Sequence, residues 1–274
     1  MILSVGIVAE KSVHIVIEAT KLPLCDLTTY LDLGRRGETM SQRPTPMCAL
    51  CGVKKPICRV PGGNAPEFCP TSNLSEILDL ATAQYGQPEV GHFAKMASLQ
   101  ESECYANRHI RPYVMHPTKT RVQETCEFAH KMGYKKIGIV FCSGLRNEAR
   151  TFNSILEAQG FEVVSVCCKV GAKPKETLGL TDEEKIRVGQ FESMCNPIAQ
   201  AYVLHESGVE FNVLVGLCVG HDSLFFQYAK APTTVLVAKD RVTGHNPAAA
   251  LYTTGSYYAR LVGPKIDPTQ GGSD

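Results

Sequence analysis

Four cysteines fall within 22 residues of chain, spaced Cys48-x2-Cys51-x6-Cys58-x10-Cys69. A C-x2-C knuckle lets two sulfurs reach one ion, and four thiolates can close a tetrahedral zinc site. The same residues can hold a four-iron cluster, and Cys69-Pro70 echoes the Cys-Pro ending of ferredoxin runs. Because the second pair is not C-x2-C, the spacing matches neither template, and zinc and iron–sulfur both stay open as the cofactor. The chain between these thiols carries Gly52, Pro56, Pro61, Gly62, Gly63 and Pro66, a composition of turns with little apolar area to bury. A metal crosslink is therefore the expected source of its order. The competing reading is a set of unrelated thiols or a disulfide pair.

A second set lies further along. Cys142, Cys168 and Cys218 each close a short apolar run that reads as a strand, and Cys195 stands directly before Asn196-Pro197, a helix start. In open parallel sheets, ligands bind beyond the carboxyl ends of the strands, so these thiols are expected to converge on one edge. His221 lies three residues beyond Cys218. The next strand end supplies Lys239, Asp240 and Arg241, followed by the loop of Gly244, His245, Asn246 and Pro247. Helix N-termini and cationic side chains favour bound anions and lower thiol pKa values.

Three readings compete for this edge. Cys142, Cys168, Cys195 and Cys218, with His221 or His245, hold a second metal or cluster. Alternatively, one low-pKa thiol is a nucleophile or redox centre with a histidine as its base. In the third reading all four are small packing residues. In the first two, Lys239, Asp240, Arg241 and Asn246 orient a substrate or support the ligands from behind. Gly144 could admit an anion or merely make a tight turn, and Lys173 or Lys175 could approach the edge or remain solvated charges. Cys167 precedes Cys168 and is expected to face the opposite way, into the core. Cys25, Cys104 and Cys126 read as structural.

The elements that position these residues follow from periodicity. Helical patterns occupy 73–84, with Asn73 as N-cap, then 89–109 and 119–132. Apolar runs at 136–142, 162–168, 211–218 and 233–239 then alternate with helical stretches at 146–159, 181–191, after 196 and at 222–229. Continuous apolar strands alternating with helices predict an α/β fold with a doubly wound, mostly parallel, Rossmann-like sheet over 119–265. A cysteine-rich loop module over 40–72 and a helical connector over 73–118 precede it, and 266–274 is expected to be a disordered tail. Residues 1–39 read as a weakly ordered extension. Arg35–Glu38 can be encoded by purine-rich codons of a ribosome-binding type, so translation is expected to begin at Met40 or Met47; coding DNA without such a run would remove the main support.

Composition narrows the function classes. Of 274 residues, 44% are hydrophobic and 20% charged, with a net charge of +1, so no basic footprint for nucleic acid is present. Twelve cysteines fall below the roughly 8–10% that marks a short disulfide scaffold. The first eight residues are apolar, but they lack a basic flank and end at Glu10-Lys11, far short of the ~20 residues of a membrane span. The expectation is a cytoplasmic chain with reduced thiols and no membrane segment. Val60–Asn64 lacks the strand-before, helix-after context of a phosphate loop, and no nucleotide signature is present. The sequence is silent on oligomeric state.

The blocks MCALCGV, Cys58, Cys69-Pro70, IGIVFCSGLRNEA, CCKVG, MCNPIAQA, GLCVGHDSLF and KDRVTGHNPAAALY together carry a resemblance. The chain resembles the cysteine-rich, uncharacterised metal-binding proteins, a domain-of-unknown-function family of anaerobic bacteria and archaea, over about 47–252. The resemblance implies metal binding and no particular reaction. Its pattern carries over to Cys48, Cys51, Cys58, Cys69, Cys142, Cys168, Cys195, Cys218, His221, Asp240, Arg241 and His245. Members begin near the equivalent of Met47, and this chain departs from them by its N-terminal extension. The expected function is thus metal binding, by zinc or iron–sulfur, with a second thiol-rich and redox-capable site at the sheet edge and a redox partner or small anionic ligand. The alternatives are a non-catalytic metal sensor, store or delivery module, and a thiol-dependent transferase or hydrolase using one edge cysteine.

Overall fold

The structure is a computed structural model that describes residues 44–263, and these fall into two compact units, 44–84 and 85–263. The readings made for 1–39 and 266–274, including Cys25 and a start at Met40, lie outside the described residues.

In the first unit a 3-10 turn, Cys48–Leu50, leads into a loop pinned by the Pro56–Asn64 bridge. Ile57 N donates to Asn64 O and Asn64 N to Lys55 O, at 2.9 and 2.8 Å. Gly63 is required there, because a Cβ would sit 2.6 Å from Lys55 O. Two helices follow, α1 (Pro70–Asn73) and α2 (Ser75–Gln84). Asn73 is not the N-cap expected of it. It ends α1, and its amide donates to Glu67 O at 2.6 Å, because Pro70 already supplies a helix start one turn earlier.

The second unit opens with α3 (Pro88–Glu103) and α4 (Arg121–Lys131). The expected helix to 109 stops at Glu103. Beyond it the chain pairs with itself, Thr118 N on Cys104 O and Ala106 N on His116 O, and Asn107 turns at φ 57°. Thr120 and Gln123 form a capping box on α4, and Gly133 at φ 75° ends it. The α/β part then runs β1 (Lys136–Phe141), α5 (Arg146–Ala158), β2 (Glu162–Cys167), α6 (Pro197–Glu206), β3 (Phe211–Val215), α7 (His221–Tyr228), β4 (Thr233–Val237) and α8 (Ala248–Tyr252).

All four strands are parallel, in the order β2-β1-β3-β4. Progress along the sheet reverses between β1 and β3, so right-handed crossovers place α5 on one face and α6 and α7 on the other. The sheet is therefore α/β and doubly wound, because apolar strands buried on both faces need helices over each. Every residue of β3 is buried, and Ile137, Ile139 and Val140 of β1 are fully covered, whereas the edge strand β4 is half-buried throughout. Cys167 packs against this core, as do Cys126 and the strand residues around it.

One expected helix is absent. Residues 181–191 form turns and bends within a long excursion between β2 and α6. Their carboxylates take backbone N–H groups that a helix would need. Glu192 accepts from Ile186 and Arg187, Asp182 from Gly189, and Glu184 from Thr181. Lys185 is buried among Glu176, Asp182 and the Gln190 carbonyl, which fixes the excursion from inside.

Candidate functional site

The carboxyl ends of β1, β2 and β3 open onto a cavity of about 680 Å³. Cys142 and Cys168 each stand one residue beyond their strands, and Cys218 three residues beyond β3. Gly216, at φ 72°, makes the turn that brings Cys218 round; a Cβ there would lie 2.6 Å from the Leu145 side chain. Cys195 arrives at the head of α6, where Asn196 caps Ala199 N, and Asn196 N donates to Cys168 O at 2.7 Å. Backbone pairing thus sets the Cys195 loop beside the end of β2.

The thiols form a chain of contacts. Cys168 Sγ lies 3.9 Å from Cys195 Sγ, and Cys142 stands close enough to Cys168 to shift its titration. Ser143 N also donates to Cys168 Sγ at 3.4 Å. Cations flank three of the four. Lys239 Nζ donates to Cys142 Sγ, Arg241 Nη2 donates to Cys218 Sγ at 3.1 Å, and Lys169 acts on Cys195.

These contacts separate the thiol pKa values. The neighbouring Cys168 thiol, reinforced by burial, pushes Cys142 up to about 12 despite Lys239. The neighbouring Cys142 lowers Cys168, but its interaction with Cys195 and its burial outweigh this and leave it raised. Cys195 is lowered to about 6 by the Cys168 hydrogen bond, with Lys169 helping to offset burial. Of these three thiols Cys195 is the most acidic.

The other expected residues divide. His221, the first residue of α7, lines the cavity, and its buried Nδ1 has no hydrogen-bond partner among the described residues. Lys239 and Arg241 line it as well. Asp240 and His245 do not. The Asp240 carboxylate accepts from Val242 N and Thr243 N, while His245 Nδ1 accepts from Asp240 N at 3.1 Å, so both are spent on a local turn. Asn246 stays with that turn, its carbonyl accepting from Ala249 N.

Cys48, Cys51 and Cys58 are exposed, and Cys69 is buried at the start of α1. Burial raises the Cys69 pKa, but hydrogen bonds from the backbone and hydroxyls of Ser72 and Thr71 bring it below the ordinary thiol value. Among the described residues no three Cys, His, Asp or Glu side chains are grouped as ready-made ligands of one ion.

The cavity also has walls that motif reading did not supply. Lys169 follows Cys168 at the same strand end, a position that could have flagged it. Arg187, Ile186 and Phe191 come from the irregular excursion, and their spacing carries no signal.

Fold and pocket define an α/β protein with a thiol-lined, cation-rich cavity at the carboxyl edge of its sheet. Residues 69–236 match the family described as "Protein of unknown function (DUF1847)", and the chain belongs to that family. It is also similar to "Uncharacterized protein MJ0455" of Methanocaldococcus jannaschii, 52% identical over 174 residues that cover 64% of this chain and 86% of that protein. The family match spans Cys69 and all four edge cysteines, and it ends before Lys239. Among the described residues no helix is long and apolar enough to cross a membrane.

Proposed function

We propose that the chain is a metal-binding thiol protein whose working centre is the sheet-edge cavity, with zinc or an iron–sulfur cluster held by Cys142, Cys168 and Cys195 and with Cys218 as the fourth donor. The observation that carries this reading is the 3.9 Å approach of the Cys168 and Cys195 sulfurs beside a cavity lined by Cys142, Cys195 and Cys218. Two thiolates on one tetrahedral zinc stand ~3.8 Å apart, given Zn–S bonds of about 2.3 Å. The Cys168–Cys195 separation of 3.9 Å fits that edge. An all-sulfur donor set selects zinc or iron–sulfur over hard cations. Cys195 is ready as a thiolate, and the surrounding cations favour ionisation of the rest when a metal displaces their protons. A bound zinc would supply Lewis acidity, and a cluster would supply electron transfer. Cys48, Cys51, Cys58 and Cys69 are a separate set, proposed as a metal staple for their own loop. Reduced thiols of this kind belong in a reducing compartment such as the cytoplasm.

Anaerobic purification with metal and acid-labile sulfide analysis tests this reading. Iron with sulfide indicates a cluster, and colourless protein with zinc indicates the ion. The Cys168→Ser/Cys195→Ser double variant should lose one centre per chain. Unchanged metal in that variant would sink the assignment to the edge. A metal sensor or store shares this site and differs in showing no turnover.

One observation favours a second reading. Cys195 is a thiolate with a neighbouring thiol 3.9 Å away, which suits dithiol redox or nucleophilic chemistry without a metal. Metal-free wild-type protein that forms a Cys168–Cys195 disulfide on mild oxidation would favour it.

A further inference from the structure

We propose that the edge cavity binds a small organic anion, its charged head held by Lys169, Arg187, Lys239 and Arg241 and its apolar body lying against Ile186 and Phe191. The lining carries five cationic side chains, Lys169, Lys175, Arg187, Lys239 and Arg241, against one carboxylate, Glu192. That carboxylate is already paired with Lys175 at 2.8 Å. Among the described residues none of the other four cations forms an ion pair with a carboxylate. Lys169 donates to a carbonyl, Ser193 O, while Lys239 and Arg241 donate to sulfur. A zinc ion with three or four thiolates carries a formal charge of about −1 to −2, so metal binding leaves positive charge in excess. Concentrated cations at a low-dielectric wall draw an anion.

Two further features point to a ligand. His221 Nδ1 is a buried polar atom at the cavity without a partner, and such atoms are ordinarily satisfied. Ile186 and Phe191 line the same space yet are 80% and 65% exposed. They are not on floppy chain. Met194 N donates to Lys173 O and Lys175 N to Glu192 O, closing the neck of the excursion, and Lys185 anchors its interior. A fixed loop thus presents apolar side chains beside a cationic floor. The volume of about 680 Å³ suits a small molecule. The matching chemistry is a carboxylate or phosphoryl head on an apolar body.

Calorimetric titration of the purified protein with phenyl phosphate, inorganic phosphate and benzyl alcohol tests the inference, with metal content followed in parallel. Phenyl phosphate should bind most tightly, inorganic phosphate more weakly, and benzyl alcohol not measurably. Arg187→Gln, which removes one of the four cations of the lining that make no ion pair, should weaken both anions by roughly threefold or more through the loss of cavity charge. Phe191→Ala should weaken phenyl phosphate by a similar factor and leave inorganic phosphate unchanged. No binding of either anion to wild-type protein, or equal binding by Arg187→Gln and wild type, would overturn the proposal. The metal reading is judged separately: anion binding by metal-free protein leaves this inference standing, and full metal content without anion binding defeats it alone.

Discussion

The charge on Cys195 is set by its neighbours Cys168 and Lys169, and that makes it testable one residue at a time. Cys168 supplies the hydrogen bond and Lys169 a nearby positive charge, holding Cys195 at about 6 against an ordinary 9.0. In reduced, metal-free protein, alkylation of Cys195 by iodoacetamide should rise with pH through a midpoint near 6 and level off by neutrality. Cys168→Ala removes the neighbour that lowers Cys195 most, so the midpoint should move up by at least one unit, on the order of the 1.4 kcal/mol that one pKa unit represents. A wild-type midpoint at the ordinary thiol value would refute this account of Cys195. The stability signs follow from the same shifts. Cys195 is depressed, so its contribution is full above 9.0, declines as pH falls, and is gone below about 6. Cys142 is raised to about 12, so the contribution of its neutral form is present below 9.0 and lost as pH rises towards 12. The sequence placed these thiols near one edge through strand ends alone. It held nothing about which thiol is most acidic, which depends on how closely residues more than 20 positions apart approach, as Cys168 and Cys195 do at 3.9 Å.

Elements differ in how openly the sequence declares them, and the excursion at 173–194 is the least open. The strands were legible because apolar runs such as 211–215 have one use, burial on both faces of a parallel sheet. Thr181-Asp182-Glu183-Glu184 resembles a helix start in composition, yet the same carboxylates stabilise a loop when they cap backbone N–H groups of turns. What decides the outcome is Lys185, buried in contact with Glu176, Asp182 and the Gln190 carbonyl. Lys185→Ala should therefore loosen the excursion without unfolding the sheet. Trypsin cleavage after Arg187 should accelerate, and the urea midpoint of the whole unit should move little, because local openings can occur far below the global free energy. Slow cleavage equal to wild type would show that the neck at Lys173–Met194 holds the loop unaided. Helix α4 offers a contrasting case, in which a local rule gives a global cost. Thr120 and Gln123 cap it reciprocally, and Arg121 at its first turn donates to Val235 O and Thr234 Oγ1 of the edge strand at 2.7 and 3.0 Å. Thr120→Ala should cost about 1 kcal/mol by urea unfolding. A cost near zero would mean that docking on β4, not the cap, holds the helix start.

For the molecule as a whole, the division at Gln84 and Tyr85 separates two cysteine sets that composition alone leaves in one pool. Every buried residue of the hydrophobic core lies between Cys126 and Phe225, and the four strands lie within the same unit. Among the described residues of 44–84, only Cys69 is buried, so that unit contributes nothing to the core cluster of the sheet. A chain beginning at residue 85 should accordingly fold cooperatively, with the far-ultraviolet signal of an α/β domain and a single urea transition. It would retain Cys142, Cys168, Cys195 and Cys218 and lack Cys48, Cys51, Cys58 and Cys69, so its metal content apportions the two sets directly. If the sheet edge is the working centre, the truncated protein should keep one metal centre and full chain should carry the loop staple in addition. A folded truncation with no metal would transfer the metal function to the cysteine loop and leave the edge as a thiol site. Because the core is intact in either case, metal loss there could not be blamed on unfolding, which is the confusion that single cysteine substitutions in the full chain cannot avoid.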